Sequence, residues 1–393
     1  MSVAAVRDRA HGLVEARIGE FSERLLELGR ALHAEPELSF EEHASAGRLA
    51  DLLEGAGFVV ERGAYGLETA VVGSYGSGDL TVGVCAEYDA LPGLGHACGH
   101  NVICAAGAGA AIGLAAAADV LGIRVVLLGT PAEEAGGGKV LMLERGAFDG
   151  VTVAMMAHPA GHDDVDARSS TTSAARFEVT FTGRSAHAAQ DPQSGVNAGD
   201  AAVVAQVAVG LLRQQLPDGY RVSGVVRDGG ERSNIIPDRT VLEWDVRTPT
   251  AEELDPLKKR VQACFEGAAI ATGCSVEIRP TQPDYLDLRN DPWLMGAYAE
   301  GLRAAGRTLP PAAPVRLGAS TDMGNVTHAL PAIHPSIGIL GAEGWPHTPE
   351  FARWTVGAAA DDAVLAAARA MAWTGVAVAA DAERRAHYLS VRG

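Results

Sequence analysis

The sequence is poor in cysteine and in basic residues, and each scarcity excludes a class of protein. Its five cysteines among 393 residues are odd in number and unpatterned, which argues against a disulfide framework and favours a reducing compartment. Lysine and arginine number 32 against 49 acidic residues, and the net charge of -17 disfavours nucleic acid and anionic membranes as partners. The first 18 residues carry mixed charges without an apolar core. We therefore predict no signal peptide and a cytoplasmic protein.

Long uncharged runs are also scarce, and the longest candidate lies between Asn101 and Ala118. Alanine and glycine dominate this run, so its transfer into lipid would be weak compared with a run of leucine or isoleucine. We predict a buried helix packed closely through small residues, and no membrane association.

The pattern of apolar residues changes along the chain and indicates two domains. Near-continuous apolar runs alternating with helices predict an α/β domain with a buried mixed sheet, in residues 1–172 and 285–393. Between them, alternating strands and two helices follow the order β-α-β-β-α-β, which is that of a ferredoxin-like α+β unit. We assign this inserted domain to residues 173–284.

The N-terminal segment predicts two helices. The first covers residues 2–34 and ends before Pro36, because proline disfavours helix in the residue that precedes it. Ser39 then resembles an N-cap, with Glu42 three positions later completing a capping box, and a second helix runs to about Gly57.

Side chains that bind metals recur in loops of the predicted α/β domain: Cys98, His100, Glu134, His158 and His347. Four of the five follow an apolar strand-like run, where open α/β sheets place their ligands. Thiolate, imidazole and carboxylate suit zinc- or manganese-class ions, and two ions bridged by one ligand would use all five. Glu133 and Glu134 cannot point the same way on extended backbone, so one can bind metal while the other acts as a general base.

Each of these residues taken singly also has an ordinary structural explanation. The glutamate pair could start a helix, His158-Pro159 could end a strand, and His347 could be an exposed loop histidine. Gly136-Gly137-Gly138-Lys139 lacks the flanking residues of a phosphate-binding loop, and we reject that interpretation. In the inserted domain, His187, Asn234 and Arg247 are of the types that hold an oxyanion and a carboxylate, although a capping histidine and a surface arginine are the plainer alternative.

Taken together, these motifs resemble the dinuclear metallopeptidase and aminoacylase superfamily. The similarity is closest to its amidohydrolase branch, which includes aminobenzoyl-glutamate hydrolase-like and β-alanyl-lysine dipeptidase-like proteins. It is carried by the motifs Glu87-Tyr88-Asp89-Ala90-Leu91-Pro92-Gly93-Leu94-Gly95-His96-Ala97-Cys98-Gly99-His100-Asn101, Pro131-Ala132-Glu133-Glu134, Ala157-His158-Pro159, Ser185-Ala186-His187-Ala188-Ala189, Asn234-Ile235-Ile236-Pro237, Ser320-Thr321-Asp322-Met323-Gly324-Asn325-Val326 and His347-Thr348.

The resemblance implies two divalent ions per chain, with Cys98 at the bridging position. It further implies that His100, Glu134, His158 and His347 complete the ligand set. Asp89 would orient a ligand from behind, and Glu133 would activate water and protonate the leaving amine. Zinc or manganese is favoured, and cobalt and nickel are further candidates.

The resemblance also implies roles for the inserted domain, which serves as a lid and as the homodimer contact in such proteins. His187 would steady the oxyanion in the partner's site, while Asn234 and Arg247 would contact the substrate. Two positions depart from the pattern. Asn101 stands where many branch members have Asp, and Glu87 stands where the wider superfamily has a histidine ligand, which the resemblance implies is replaced here by His100.

We therefore predict a metal-dependent hydrolase of the amide bond in a small N-acyl amino acid or dipeptide. One alternative at the same site is an aminohydrolase that acts on another C–N bond and releases ammonia. Another is a non-catalytic metal- or ligand-binding protein that kept the fold, and a purely structural zinc protein is the weakest, since Glu133 would then have no role.

Overall fold

The chain divides into two compact units. The structure is a computed structural model that describes residues 3–311, 313–315 and 317–391. The first unit comprises the described residues of Met1–Ser170, Leu288–Leu317 and Thr321–Gly393, and the second comprises Thr171–Asp287 with Gly318–Ser320. The predicted insertion was 173–284; the chain ends of the predicted first domain, and Ser2 of the predicted first helix, lie outside the described residues.

The helices are α1 (Val3–Ala34), α2 (His43–Gly55), α3 (His100–Ala115), α4 (Ala118–Leu121), α5 (Gly138–Glu144), α6 (Ala198–Arg213), α7 (Ala251–Thr272), α8 (Pro292–Ala304), α9 (Met323–Ala329), α10 (Pro349–Ala352), α11 (Ala358–Ala380) and α12 (Ala382–Ser390). The strands are β1 (Val59–Arg62), β2 (Val71–Gly76), β3 (Leu80–Glu87), β4 (Ile123–Thr130), β5 (Val153–Met155), β6 (His158–Ala160), β7 (Ser173–Thr182), β8 (Arg221–Asp228), β9 (Arg239–Thr248), β10 (Ser275–Pro280), β11 (Ala332–Ile333) and β12 (Ser336–Gly338). Of these, α6, α7 and β7 to β10 belong to the second unit.

A six-stranded mixed sheet organises the first unit, in the order β1-β2-β4-β3-β5-β11. The strands β4, β3, β5 and β11 run parallel, and every residue of β3 is buried. Burial on both faces explains why these strands read as continuous apolar runs in the sequence. Since parallel strands end at one edge of the sheet, the loops that follow β3, β4, β5 and β11 start from neighbouring positions.

The small-residue run forms helix α3, which is buried along its whole length, as predicted. A Cβ added at Gly109 would lie 2.8 Å from the Cβ of Ala368 on α11, so glycine permits the close approach of these helices. Among the described residues, only α11 is long and apolar enough to cross a membrane, and 78% of its most apolar window is buried inside the fold. The core helix of a folded domain meets the same criterion.

The predicted capping box at Ser39 is wrong. Helix α2 begins at His43, and its N-cap residue Glu42 makes no side-chain capping bond. Ser39 Oγ instead donates to Asp89 Oδ2 at 2.8 Å, and the buried Glu42 carboxylate accepts the N–H of Ala132 at 2.8 Å. Both side chains therefore form hydrogen bonds with residues distant in sequence, and not the local capping bonds that their spacing suggested.

The apolar residues between 332 and 338 form two short strands in two different sheets. β11 extends the main sheet beside β5, and β12 pairs with β6 in a separate two-stranded parallel sheet. Pro335 lies between them and has no N–H to continue a strand ladder.

The second unit confirms the predicted element order. Its four-stranded antiparallel sheet has the order β10-β7-β9-β8, and β7 pairs with β9 over its whole length. Helices α6 and α7 cover one face, where Phe177 of β7 and Trp244 of β9 pack against Phe265 of α7. β8 is an edge strand that exposes most of its residues.

Candidate metal centre

The carboxyl ends of adjacent parallel strands deliver the acidic side chains of the site. Asp89 follows β3 by two residues, and Glu133 and Glu134 follow the end of β4 in a turn. The turn is possible because Ala132 has a positive φ of 57°, an unfavourable conformation for a residue with a Cβ. The extended backbone that we assumed for this pair is therefore wrong.

The turn brings the two glutamates together. One carboxylate oxygen from each of Glu133 and Glu134 lies within 4.8 Å of the other and of a ring nitrogen of His100. Neighbouring residues on this turn can thus serve one site, whereas residues on a straight strand would have pointed to opposite faces.

Cys98 and His100 reach the site from the loop before α3. Gly99 separates them with a φ of 83°, and a Cβ there would lie 2.4 Å from Pro159 Cγ, so this position requires glycine. His100 is the first residue of α3 and is fully buried, and Cys98 is buried as well.

His158 and His347 complete the cluster. His158 begins β6, and its Nε2 lies 3.5 Å from Cys98 Sγ. His347 has a φ of 69°, and its N–H donates to the carbonyl of Ala97 at 2.9 Å, which fixes the loop. Its Nε2 lies 3.2 Å from Glu134 Oε1.

The five predicted ligands therefore lie together. Three overlapping groups each keep one ligand atom per residue within 4.8 Å of the others: Cys98 with His100 and His158, Cys98 with Glu134 and His347, and His100 with Glu133 and Glu134. Cys98, His100 and Glu134 each belong to two of these groups, so the three groups form one continuous cluster.

Asp89 contacts the predicted ligand His100 on the side of Nδ1. Its Oδ1 lies 3.0 Å from His100 Nδ1, and its Oδ2 accepts from Ser39 Oγ and from the N–H of Glu134. Burial alone would raise the pKa of Asp89, but His100 and these hydrogen bonds lower it to about 2. The carboxylate thus stays ionised and holds the Nδ1 proton of His100, which leaves Nε2 for a metal.

His158 is held in a comparable way. Its Nδ1 lies 2.8 Å from the carbonyl of Pro159, so an Nδ1–H donates there and Nε2 faces Cys98. Burial lowers the pKa of His158, which favours the neutral imidazole that binds metals.

The donor set fits divalent cations because it concentrates negative charge where water is excluded. Glu87, Asp89, Glu133 and Asp322 are all buried, and three of them (Glu87, Glu133 and Asp322) interact electrostatically with Lys139, the one buried lysine among the described residues. Burial raises the pKa of Glu133 well above its usual value, and the carboxylates of Glu87 and Glu134 raise it further. Burial and Glu134 likewise raise the pKa of the Cys98 thiol. A cation among these groups would offset both shifts.

The buried charges behind the cluster were not predicted from the sequence. Lys139 Nζ donates to Glu87 Oε2 and, at 2.8 Å, to Asp322 Oδ1. His334 was also missed; it follows β11, and its ring stacks on His158 at 5.5 Å between centroids. Its position after an apolar strand and before a proline repeats the pattern of His158 and could have identified it.

Asn101, one of the two departures from the pattern, has a structural role. Its side-chain amide donates to the carbonyls of Gly29 and Thr355, at 3.1 Å and 2.8 Å, and so ties α3 to its neighbours. A carboxylate at this position could not donate either bond.

The remaining predicted site residues lie in the second unit. His187 and Asn234 are exposed on adjacent loops, joined by a bond from the Ala188 N–H to the Asn234 carbonyl at 3.0 Å. Arg247 lies at the end of β9, where it pairs with Asp245 and donates to the carbonyl of Gly318 at 2.9 Å. These three residues belong to the second unit, and the other seven predicted site residues belong to the first.

Comparison with known proteins gives a consistent picture. Residues 170–272 match the peptidase dimerisation domain family. The chain is 39% identical over 381 residues to Xaa-Arg dipeptidase of Mus musculus, covering 92% of this chain and 87% of the relative. It is 31% identical over 279 residues to a p-aminobenzoyl-glutamate hydrolase chain of Escherichia coli, covering 65% of this chain and 57% of that one.

A solved structure whose family is known has a fold similar to that of this chain. A Bacillus subtilis dinuclear metal binding peptidase from the M20 family superposes with a TM-score of 0.67 at 25% identity, covering 92% of this chain and 99% of that one. The chain belongs to the M20 metallopeptidase family. The resemblance inferred from the motifs is thereby confirmed, as are the α/β fold and the metal-dependent amidohydrolase activity. As an M20 peptidase, the protein hydrolyses the amide bond of a dipeptide or N-acyl amino acid.

Proposed function

We propose that this M20 peptidase cleaves dipeptides with a C-terminal arginine or lysine, using the cluster around Cys98 as a dinuclear centre. The convergence of five ligand side chains from four separate segments of the chain carries the proposal of the centre. The Xaa-Arg dipeptidase activity of the mouse relative, which shares sequence over nearly the whole chain, supports the substrate class.

Each residue of the proposed centre would have its own role in binding metal or transferring protons. Cys98, His100, Glu134, His158 and His347 would hold two divalent ions, and Asp89 would keep His100 in the metal-binding tautomer. Bound ions would polarise the amide carbonyl and make water a better nucleophile. Glu133 would accept the proton of the attacking water and pass it to the leaving amine, a role that suits a buried carboxylate with a raised pKa.

His187, Asn234 and Arg247 would act on the substrate. Arg247 offers a guanidinium for the carboxylate of the released amino acid, and Asn234 an amide donor. His187 Nδ1 accepts the N–H groups of Ala189 and Gln190, at 3.2 Å and 3.1 Å, so its Nε2 is directed away from its own loop and could donate to an oxyanion.

A homodimer is the assembly that we propose. The dimerisation family model covers α6 and β8, and α6 exposes Val203, Val207 and Leu211 at four-residue spacing, with exposed fractions of 58%, 58% and 64%. Such an apolar stripe on one helix face is typical of a protein contact. We also propose a cytoplasmic location, which the five free cysteines favour.

The test is hydrolysis of a panel of dipeptides and N-acyl amino acids by protein loaded with zinc, manganese, cobalt or nickel. We expect the fastest metal-dependent release of amino acid from substrates ending in arginine or lysine, with zinc or manganese most effective. Faster cleavage of acidic conjugates such as aminobenzoyl-glutamate would overturn the substrate class, and ammonia release instead of an amino acid would indicate an aminohydrolase.

A further inference from the structure

The strongest charge cluster outside the five proposed ligands centres on Lys139. Its side chain is fully buried, and its ammonium binds Glu87 at the end of β3 and Asp322 before α9. The backbone N–H of Lys139 also donates to Asp322 Oδ2 at 2.9 Å. An ion pair held this firmly from two sides fixes the direction of both carboxylates.

The second oxygen of Glu87 is directed at the metal cluster. Glu87 Oε1 lies 3.2 Å from His100 Nε2, and both side chains are fully buried. Neither atom makes a hydrogen bond within the part of the chain that the structure describes. Leaving such atoms unsatisfied in the interior is unfavourable, so the arrangement calls for a charged partner.

The contact between His100 and Asp89 indicates which kind of partner would fit. The Nδ1 proton of His100 is directed at Asp89, so a neutral ring presents a lone pair on Nε2. A lone pair and a carboxylate oxygen repel each other at 3.2 Å unless a proton or a cation lies between them, and a metal ion that binds His100 takes the place of that proton. Two donors to one ion, each at about 2.0–2.2 Å, lie roughly 3.0–3.5 Å apart at the angles of common coordination, so this spacing fits a shared cation.

We propose that Glu87 binds the cation held by His100, and that Lys139 and Asp322 are the residues that position its carboxylate. The inference rests on the proposed metal centre and adds a sixth ligand to it. The glycines that precede Lys139 do not form a phosphate-binding loop. In this proposal, Lys139 instead provides the fixed positive charge of the centre. Glu87 thereby links strand β3 to the centre and contributes to the choice of metal, because each added carboxylate favours harder ions such as manganese.

Cation affinity of the full chain tests this independently of turnover. Chelator-treated protein is titrated with manganese and, separately, with zinc by calorimetry. We expect Glu87→Gln, which preserves shape, to weaken one of two binding events about 10- to 100-fold, the range seen when ligand-supporting groups are lost. The loss should be larger for manganese than for zinc. We expect Lys139→Met to weaken the same event, and the double variant to be little worse than Glu87→Gln alone.

Arg307→Met is the matched control, because Arg307 is a buried cation that bonds the carbonyl of Gly338 and contacts none of the proposed ligands. It should lower thermal stability and leave cation affinity unchanged. Unchanged affinity in Glu87→Gln would overturn the role of Glu87. If Lys139→Met lowered stability alone, the positioning role would be overturned. Absence of cation binding in the wild-type chain, or no effect of His158→Ala, would instead show that the proposed centre itself is wrong.

Discussion

Asp89 Oδ1 lies 3.0 Å from Nδ1 of His100, the first residue of helix α3, and both side chains are buried. This contact joins the end of strand β3 to the loop that carries Cys98. Because the carboxylate is itself held by Ser39 and by the Glu134 N–H, three segments of the chain fix the direction of one imidazole.

Replacing Asp89 by Asn should weaken metal binding about 10- to 100-fold, since an amide can neither hold the Nδ1 proton as firmly nor raise the basicity of Nε2. Competition with a calibrated chelator measures the change. Asp51→Asn, which alters an exposed residue paired with Arg62, is the control and should have no effect. Equal affinities in Asp89→Asn and the wild type would contradict the orienting role.

Ser39→Ala should also reduce metal affinity, by a smaller factor, and should cost about 1 kcal/mol of unfolding free energy for the lost bond to Asp89. Ser22→Ala, which removes a local bond to the Gly19 carbonyl on an exposed face of α1, should change neither quantity much. A helix cap at Ser39 would affect stability alone, so unaltered metal affinity would favour the capping box that the structure contradicts.

Glu133→Gln should lower kcat by about 10²- to 10⁴-fold, because the amide cannot accept the proton of the attacking water. Elemental analysis should still find two ions per chain, as in the wild type. The exposed residue Glu41 provides the comparison, and Glu41→Gln should keep full activity. Full activity in Glu133→Gln would rule out its role as the base.

Removing the metal should abolish activity and lower the melting temperature. The buried carboxylates around Glu133 repel one another without a cation, and a ligand that binds only the folded state stabilises it. Differential scanning calorimetry before and after chelation measures the shift, and added manganese or zinc should restore both properties. A melting temperature that chelation leaves unchanged would argue against a metal at this site.

Val207→Asp should convert the proposed dimer into a monomer, because it places a charge in the centre of the apolar stripe on α6. Sedimentation equilibrium measures the mass. Val59→Asp is the control, as Val59 is 76% exposed on strand β1 of the first unit. A dimer that survives Val207→Asp, or a monomeric wild type, would contradict this contact.

The sequence alone determined the architecture and the ligand types. Apolar runs near β3 and β4 predicted strands of a buried mixed sheet, since burial on both faces demands apolar residues at successive positions. The alternation along β7 and β9 likewise predicted strands with one face in solvent. The five candidate ligands were recognisable because thiolate, imidazole and carboxylate side chains recur where strands end.

What the sequence could not determine were the partners of polar side chains far apart in the chain. Ser39 and Glu42 have the spacing of a capping box, yet they bond to Asp89 and Ala132, and no local pattern encodes partners 50 and 90 residues away. The ion pair of Lys139 could not be predicted for the same reason, because its partner Asp322 lies 183 residues later and is brought close only by the fold.

The backbone of the Glu133-Glu134 turn was decided by tertiary structure as well. Ala132 adopts a positive φ that its residue type disfavours, while its N–H is held by the buried carboxylate of Glu42. Residue types thus determined which chemistry was available. Packing around buried charges decided which atoms are in contact. At these places, the free energy gained by hydrogen-bonding a buried carboxylate exceeds the cost of an unfavourable local conformation.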